Sequence, residues 1–343
     1  MITALWISCA WMLAAEPAGQ LAFVTGTEQE DRRVELVDLT TGVLTSVGPG
    51  ARDGAPAWSP DGQWLAFPSA RPGGMGIRVV RADGSDSREL PHTHSWNDLP
   101  RWSPDSKLLA YTGARDTAGI GPESLAAMAS VMVYSLDTNT EEQWGEETMS
   151  LFRPVWMNAG SVIAIGVIPG EKRLTTGIFI VTSAGVNPLP AIAMPSAGQY
   201  VEWAAEVNLR ENLLAYESND GGDREIFVLS FKRGSTDVSN HRAADWNPVW
   251  QPNGRWLAFE SFRSGRRGVY RVLPSTINVI PVAVTEDSDN WHPAWSPDGA
   301  FLAYVSTREG TPQVFMTELE SGKVRQVTQG ARFALAPAWR PVP

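Results

Sequence analysis

Cysteine is almost missing from this chain: the only one, Cys9, lies in the apolar opening segment MITALWISCAWMLAA, residues 1–15. Once that segment is removed no thiol remains, which excludes disulfides, cysteine-ligated metals and a cysteine nucleophile. Eight residues before Cys9 are also too few for a lipoprotein signal. Histidine is scarce, with four in 343 residues. Basic charge is in deficit, 28 Lys and Arg against 38 Asp and Glu, so there is no cation surplus to neutralise nucleic-acid phosphates or hold an anionic lipid surface. Long hydrophobic runs are lacking too. The opening segment matches a signal-peptide h-region in length, is too short to span a bilayer, and ends in small residues. It is read as a leader over residues 1–16, cut near Ala15. That implies a periplasmic or secreted protein with no stable transmembrane segment after its removal. No nucleophile elbow, phosphate-binding loop or dinucleotide fingerprint occurs anywhere.

What is present is repetition. Pro-x-Trp recurs at Pro56-Ala-Trp58, Pro100-Arg-Trp102, Pro154-Val-Trp156, Pro248-Val-Trp250, Pro293-Ala-Trp295 and Pro337-Ala-Trp339, with Val201-Glu-Trp203 as a degenerate seventh copy. Successive tryptophans are 44, 54, 47, 47, 45 and 44 residues apart, the period of a four-stranded propeller blade rather than of a helical repeat. A second apolar trio follows seven residues after most of them, as in Leu65-Ala-Phe67, Leu109-Ala-Tyr111, Leu257-Ala-Phe259 and Leu302-Ala-Tyr304, whereas Leu214-Ala-Tyr216 lies eleven after Trp203. Ser59-Pro-Asp-Gly62 and Ser296-Pro-Asp-Gly299 join the two strands as tight turns. Third strands such as Ile77–Val80 and Gln313–Met316 follow, then more polar fourth strands such as Leu44–Val47 and Val324–Thr328, fit for an exposed rim.

Leu21-Ala-Phe23 begins a unit with no tryptophan strand before it, and Trp339 ends a strand with nothing after it. The expectation is therefore an all-β, seven-bladed β-propeller of four-stranded antiparallel blades over residues 17–343, closed by the C-terminal strand joining the N-terminal blade. Closure leaves no open sheet edge to template aggregation.

Trp-Ser-Pro-Asp-Gly followed by Leu-Ala-Phe or Leu-Ala-Tyr resembles the TolB-like propeller repeat, also seen in the propellers of tricorn-like and prolyl-oligopeptidase-like peptidases. The resemblance covers nearly residues 20 to 341 and implies a periplasmic binding role. TolB proteins carry an extra N-terminal domain and are usually six-bladed, and neither is evident here. A peptidase would need another domain, because the propeller takes up the whole chain.

The loops between blades offer the candidate site. His92–Leu99, Ala244–Asn247 and Asp287–His292 each deliver aromatic, amide and carboxylate groups beside the central channel. Trp96, Trp246 and Trp291 are read as anchors, with Asn97, Asp98, Asn247, Asp289, Asn290 and His292 around them, since aromatics ringed by polar groups make binding hot spots. The same residues could instead wedge blades apart and cap turns. Arg71, Arg115, Arg263 and Arg308, just after second strands, either ring this face to attract an acidic group or pair with carboxylates of neighbouring blades. An insertion, Ala114 to Ser130, with the helix-like stretch 122–129, projects from the same face to gate the channel, cover it or merely extend it. Asn219-Asp-Gly-Gly-Asp223 has the oxygen content of a calcium loop but lacks EF-hand spacing and reads as a turn.

The function expected is an exported, non-enzymatic scaffold presenting this Trp, Asn and Asp funnel to a protein or peptide of the cell envelope, or to a glycan, without a cofactor. The alternative is a metal-assisted polysaccharide lyase or hydrolase resembling oligogalacturonate lyases, with His94, His241 and His292 converging on a divalent metal. Asp98, Asp245 and Asp289 would be the carboxylates for glycoside chemistry.

Overall fold

The computed structural model describes residues 18–115, 129–145, 148–167, 176–189, 201–219 and 222–342, and for 201–205 the backbone alone. The expected leader and most of the Ala114 to Ser130 insertion lie outside the described residues. Every regular element described is a strand. β1 (Gln20–Gly26), β2 (Arg33–Asp38) and β3 (Leu44–Ser46) form a sheet with the last strand, β28 (Phe333–Trp339), in the order β28-β1-β2-β3. An eight-stranded sheet follows. It holds β4 (Ala57–Trp58), β5 (Trp64–Arg71), β6 (Gly74–Arg81) and β7 (Arg88–Glu89), then β8 (Trp96–Trp102), β9 (Leu108–Ala114), β10 (Ala129–Ser135) and β11 (Thr140–Trp144). Its two groups of four are joined only by the parallel contact of Met75 with Trp96.

Four more antiparallel sheets keep simple sequence order. They are β12 (Leu151–Asn158) to β13 (Ser161–Val167), β14 (Thr176–Thr182) and β15 (Gly185–Pro188); β16 (Val201–Asn208) to β17 (Leu213–Ser218), β18 (Glu225–Ser230) and β19 (Gly234–Asp237); β20 (Asp245–Trp250) to β21 (Leu257–Ser261), β22 (Gly268–Leu273) and β23 (Asn278–Ala283); and β24 (Asn290–Trp295) to β25 (Phe301–Ser306), β26 (Gln313–Glu318) and β27 (Val324–Gln326). The turn chemistry is as expected: the Gly62 N–H bonds the Ser59 carbonyl at 2.8 Å, Asp61 accepts the Ser59 hydroxyl at 2.6 Å, and Gly62 takes φ 66°. Ser106 adopts φ 63° at the same place without being glycine.

Alternating side chains send each second strand's apolar residues both ways. Leu21 and Phe23 pack with Phe301, Val314 and Met316 of the last sheet, while Ala22 and Val24 pack with Leu65 and Phe67 of the next. β25 is buried along its whole length, whereas β3 and β27 are exposed along theirs. The core is thus a set of sandwiched layers between successive sheets.

The repeat tryptophans stitch the inner strands together. The Nε1–H of Trp58 donates to Ala338 O, Trp102 to Ala57 O, Trp156 to Arg101 O, Trp250 to Glu206 O, Trp295 to Val249 O and Trp339 to Ala294 O, at 2.8–3.1 Å. This pattern corrects one sequence expectation. Val207 pairs with Leu214 as Trp102 pairs with Leu109 and Trp250 with Leu257, so Val207, not Trp203, holds the tryptophan place in β16. Glu206 accordingly takes the middle position of the trio.

Candidate functional site

The inner strands β8, β12, β20 and β24 each bend at a bulge around their proline. The register shifts between Asp98 and Arg101, Phe152 and Val155, Trp246 and Val249, and Trp291 and Ala294. The residue preceding proline there has positive φ: Leu99 57°, Arg153 55°, Asn247 53°, His292 53° and, in β28, Ala336 50°. Left-handed backbone costs a non-glycine residue roughly 1–2 kcal/mol, and it turns the N–H out of the ladder. Buried acceptors from the preceding sheet receive it. Asn247 N–H donates to Glu217 Oε1 at 2.7 Å, His292 N–H to Glu260 Oε1 at 2.9 Å, and Arg153 N–H to Thr112 Oγ1 at 2.9 Å. Thr112, Glu217 and Glu260 share one repeat position, the residue after Leu-Ala-Tyr or Leu-Ala-Phe. Where that residue is Pro68, Asp98 accepts the Leu99 N–H instead, at 2.7 Å.

Glu260 ties this frame to the aromatic residues. It is fully buried; Oε1 also accepts Asn247 Nδ2 at 2.8 Å and Oε2 takes the Arg267 guanidinium. Arg267 in turn lies 5.5 Å from both the Trp246 and the Trp291 ring centroids, and Arg224 lies 5.9 Å from Trp246 on its other flank. Arg224, Trp246, Arg267 and Trp291 therefore form an alternating cation–aromatic ladder across three sheets. Phe262, 43 % exposed, extends it against Trp246 with ring centroids 5.1 Å apart.

The structure sorts the sequence-derived residues into groups. Trp246 and Trp291 meet through Arg267, flanked by Asn247 and His292. Trp96 does not join them: it stands opposite Ala114, four residues before Pro100, and the place matching Trp246 and Trp291 in β8 belongs to Asp98. Asn97 and Asn290 are fully buried braces. Asn97 Nδ2 donates to the Met75 and His94 carbonyls, and Asn290 Nδ2 to Thr285 Oγ1. Asp289 is partly exposed, and its carboxylate accepts the Arg267 N–H at 3.2 Å. Arg71 pairs with Glu89 and the His94 carbonyl, Arg263 with Asp245, and Arg308 with Asn290 and Tyr304, so these three brace strands.

The histidines stay apart. His94 is buried with Nδ1 on Thr93 Oγ1, His241 is exposed, and His292 sits at its bulge. Among the described residues no group of three or more His, Cys, Asp or Glu is placed to hold a metal ion. Burial, reinforced by Arg267, lowers the His292 pKa to about 4, so the ring is neutral near pH 7.

Side chains missed at the sequence level complete the site. Burial raises Glu206 to about 7, with Arg101 pulling back, and Glu217 to about 8, against the Asn247 N–H and Arg153. Asp98 and Glu260 are likewise raised by burial. Arg101 in β8 is near enough to Glu206 in β16 to act on its charge although β12 comes between them in sequence. The legible signal was a carboxylate at positions 217 and 260, inside otherwise apolar second strands.

No family model matches the chain. An uncharacterised protein of Agrobacterium fabrum is 37% identical over 76 residues, which is 22% of this chain and 26% of that protein. Among solved structures, TolB from Acinetobacter baumannii superposes with a TM-score of 0.61 at 16% identity, over 95% of this chain and 68% of TolB. The β-propeller domain of the Trilobed protease from Pyrococcus furiosus, of open velcro topology, gives 0.68 at 13% identity over 91% and 96%. The fold is that of the TolB-like β-propellers. Dipeptidyl peptidase 4 from Porphyromonas gingivalis gives 0.56 at 15% identity over 90% of this chain, which spans half the length of that enzyme. In a propeller the inner strands surround a central channel. The bulges, Asp98, Arg101, Arg153 and Glu206 lie on such inner strands, and the Arg–Trp ladder is anchored on the inner strands β20 and β24. No helix among the described residues is long and apolar enough to cross a membrane.

Proposed function

We propose that the chain is an exported, non-enzymatic binding scaffold, a closed seven-bladed propeller that presents the Trp246, Arg267 and Trp291 ladder to a protein or peptide ligand. Closure is supported by the β28–β1 pairing and by an apolar cluster between each sheet and the next, including one between the last and the first. Export rests on the apolar opening segment 1–15, and a periplasmic setting on the likeness to TolB. The observation that carries the binding reading is the ladder itself. Two indoles and Phe262 are held half-exposed at one end of a rigid scaffold by an arginine whose position is set by buried Glu260. Trp and Arg dominate binding hot spots because they combine large apolar area with fixed donors.

A pull-down from envelope extract of the source cells tests the proposal, comparing the mature chain with a Trp246→Ala, Trp291→Ala variant of verified fold. Specific partners recovered by the first and lost by the second support it. Partners retained equally by both place binding elsewhere on the surface.

A further inference from the structure

Asp98, Arg101, Arg153 and Glu206 lie on inner strands, and Arg32 and Glu217 are near enough to act on their charges. Asp98 lies in the field of Arg32 and Arg153, Glu206 in that of Arg101, and Glu217 in that of Arg153. The carboxylates are committed to the sheets. Asp98 Oδ1 accepts the Leu99 N–H, Glu206 Oε2 the Trp250 N–H and Glu217 Oε1 the Asn247 N–H, each at 2.7 Å. Arginine contacts do not match them. Among the described residues the guanidinium groups of Arg32 and Arg101 make no hydrogen bond or ion pair, and the Nε of Arg32 is buried without a partner.

Arg101 is the exposed one, and its position is informative. It occupies the middle of Pro-x-Trp, where the other copies carry Ala57, Val155, Val249, Ala294 and Ala338, or Glu206 in β16. Small side chains there meet the packing need of the repeat, so an arginine fills no core and braces no strand. Burial acts in the same direction on charge. It raises all three carboxyl groups, Glu206 to about 7 and Glu217 to about 8, while guanidinium stays charged. Near pH 7 Glu217 is thus mostly protonated and Glu206 about half so, which leaves the three arginines in excess of these carboxylates within a chain of formal net charge −10.

We propose that the central channel binds a small oxyanion, carboxylate or phosphate, with Arg101 as the receiving residue and Arg32 and Arg153 supplying the surrounding field. Guanidinium suits this role because its planar donors match both anions bidentately. The inference deepens the binding reading by naming what the channel accepts, and it uses residues other than the ladder.

Calorimetric titration of the full chain with inorganic phosphate and, separately, with succinate tests it. The chains compared are the unaltered protein, Arg101→Met, which keeps the aliphatic stem, and the Trp246→Ala, Trp291→Ala variant. One saturable site is expected for at least one anion, weakened ten-fold or more by Arg101→Met and unchanged by the tryptophan variant. Which anion binds identifies the source chemistry. Binding should also be weaker at pH 9 than at pH 6.5, as Glu206 and Glu217 ionise beside Arg101 and Arg153. Absence of saturable binding by either anion, or equal binding by a folded Arg101→Met chain, overturns the proposal. If that happens while the tryptophan variant still loses its partner, the anion site falls and the scaffold reading stands.

Discussion

Glu260 shows how one buried carboxylate can organise a surface. It receives the Asn247 amide, the His292 N–H and the Arg267 guanidinium, and so fixes two bulges and the ladder together. Removing one member of a buried ion pair leaves the other charge uncompensated, which typically costs about 3–5 kcal/mol. Glu260→Ala is therefore expected to lower the unfolding free energy from urea titration by about that amount, and Glu260→Gln, which retains an acceptor for His292, by less. Equal unfolding free energies for Glu260→Ala and the unaltered chain would remove Glu260 from this role. The related Glu217 is less complete: its Oε2 lacks a hydrogen bond and lies 3.9 Å from Arg224. At this scale the sequence was partly legible. Trp246, Asn247, Trp291 and His292 lie at consecutive places of two matching loops. The carboxylates and arginines that position them come from neighbouring sheets, a relation that spacing along one strand does not contain.

Among the elements, the inner strand is the unit that matters, because its tryptophan bonds to the strand before it. Trp295→Phe keeps most of the apolar area but leaves the Val249 carbonyl unpaired, at a cost of about 1–3 kcal/mol. Thermal unfolding with the near-ultraviolet spectrum as fold control measures it. Loss of β28 is a larger change. A chain ending before Phe333 loses the inner strand of its first sheet, along with the Arg332–Asp31 contact next to that strand if the cut also removes Arg332. The exposed edge of β1 then pairs with other chains. Size-exclusion chromatography should show aggregates, and a monomeric, folded truncation would contradict the structural part given to β28. Strand order, turns and repeat period were all legible because the repeat imposes them again and again along the chain. The failure came where the repeat is degenerate: Trp203 drew attention as a tryptophan, although only Val207 keeps the seven-residue distance to Leu214. Trp96 lies four residues before Pro100, whereas Trp246 and Trp291 lie two before their prolines, so the spacing already set it apart.

For the molecule as a whole, buried carboxyl groups set the response to pH. Folding raises Glu206 from 4.5 to about 7 and Glu217 from 4.5 to about 8, so between those values the folded chain holds protons that the unfolded chain has released. Stability from these groups falls as pH rises through that window. His292 acts oppositely: held near 4 when folded against 6.5 when unfolded, it makes stability rise with pH between those values. The two effects overlap below pH 6.5 and separate above it. The melting temperature should thus decline from about pH 6.5 to pH 8, and Glu217→Gln should flatten the decline. A melting temperature that rises over this interval would contradict the burial of these acids.

The indole belt has one gap, since Val207 can donate nothing to β12. The first and last strands, by contrast, lie together: the Arg340 N–H donates to the Gln20 carbonyl at 2.9 Å. A circularly permuted chain, with those strands joined and new ends opened between Leu189 and Val201, would keep every indole bond. Opened between any other two blades, the permuted chain would begin or end at a junction that an indole holds. Tolerance of permutation should therefore be greatest at the one junction, among the described residues, where a valine holds the tryptophan place.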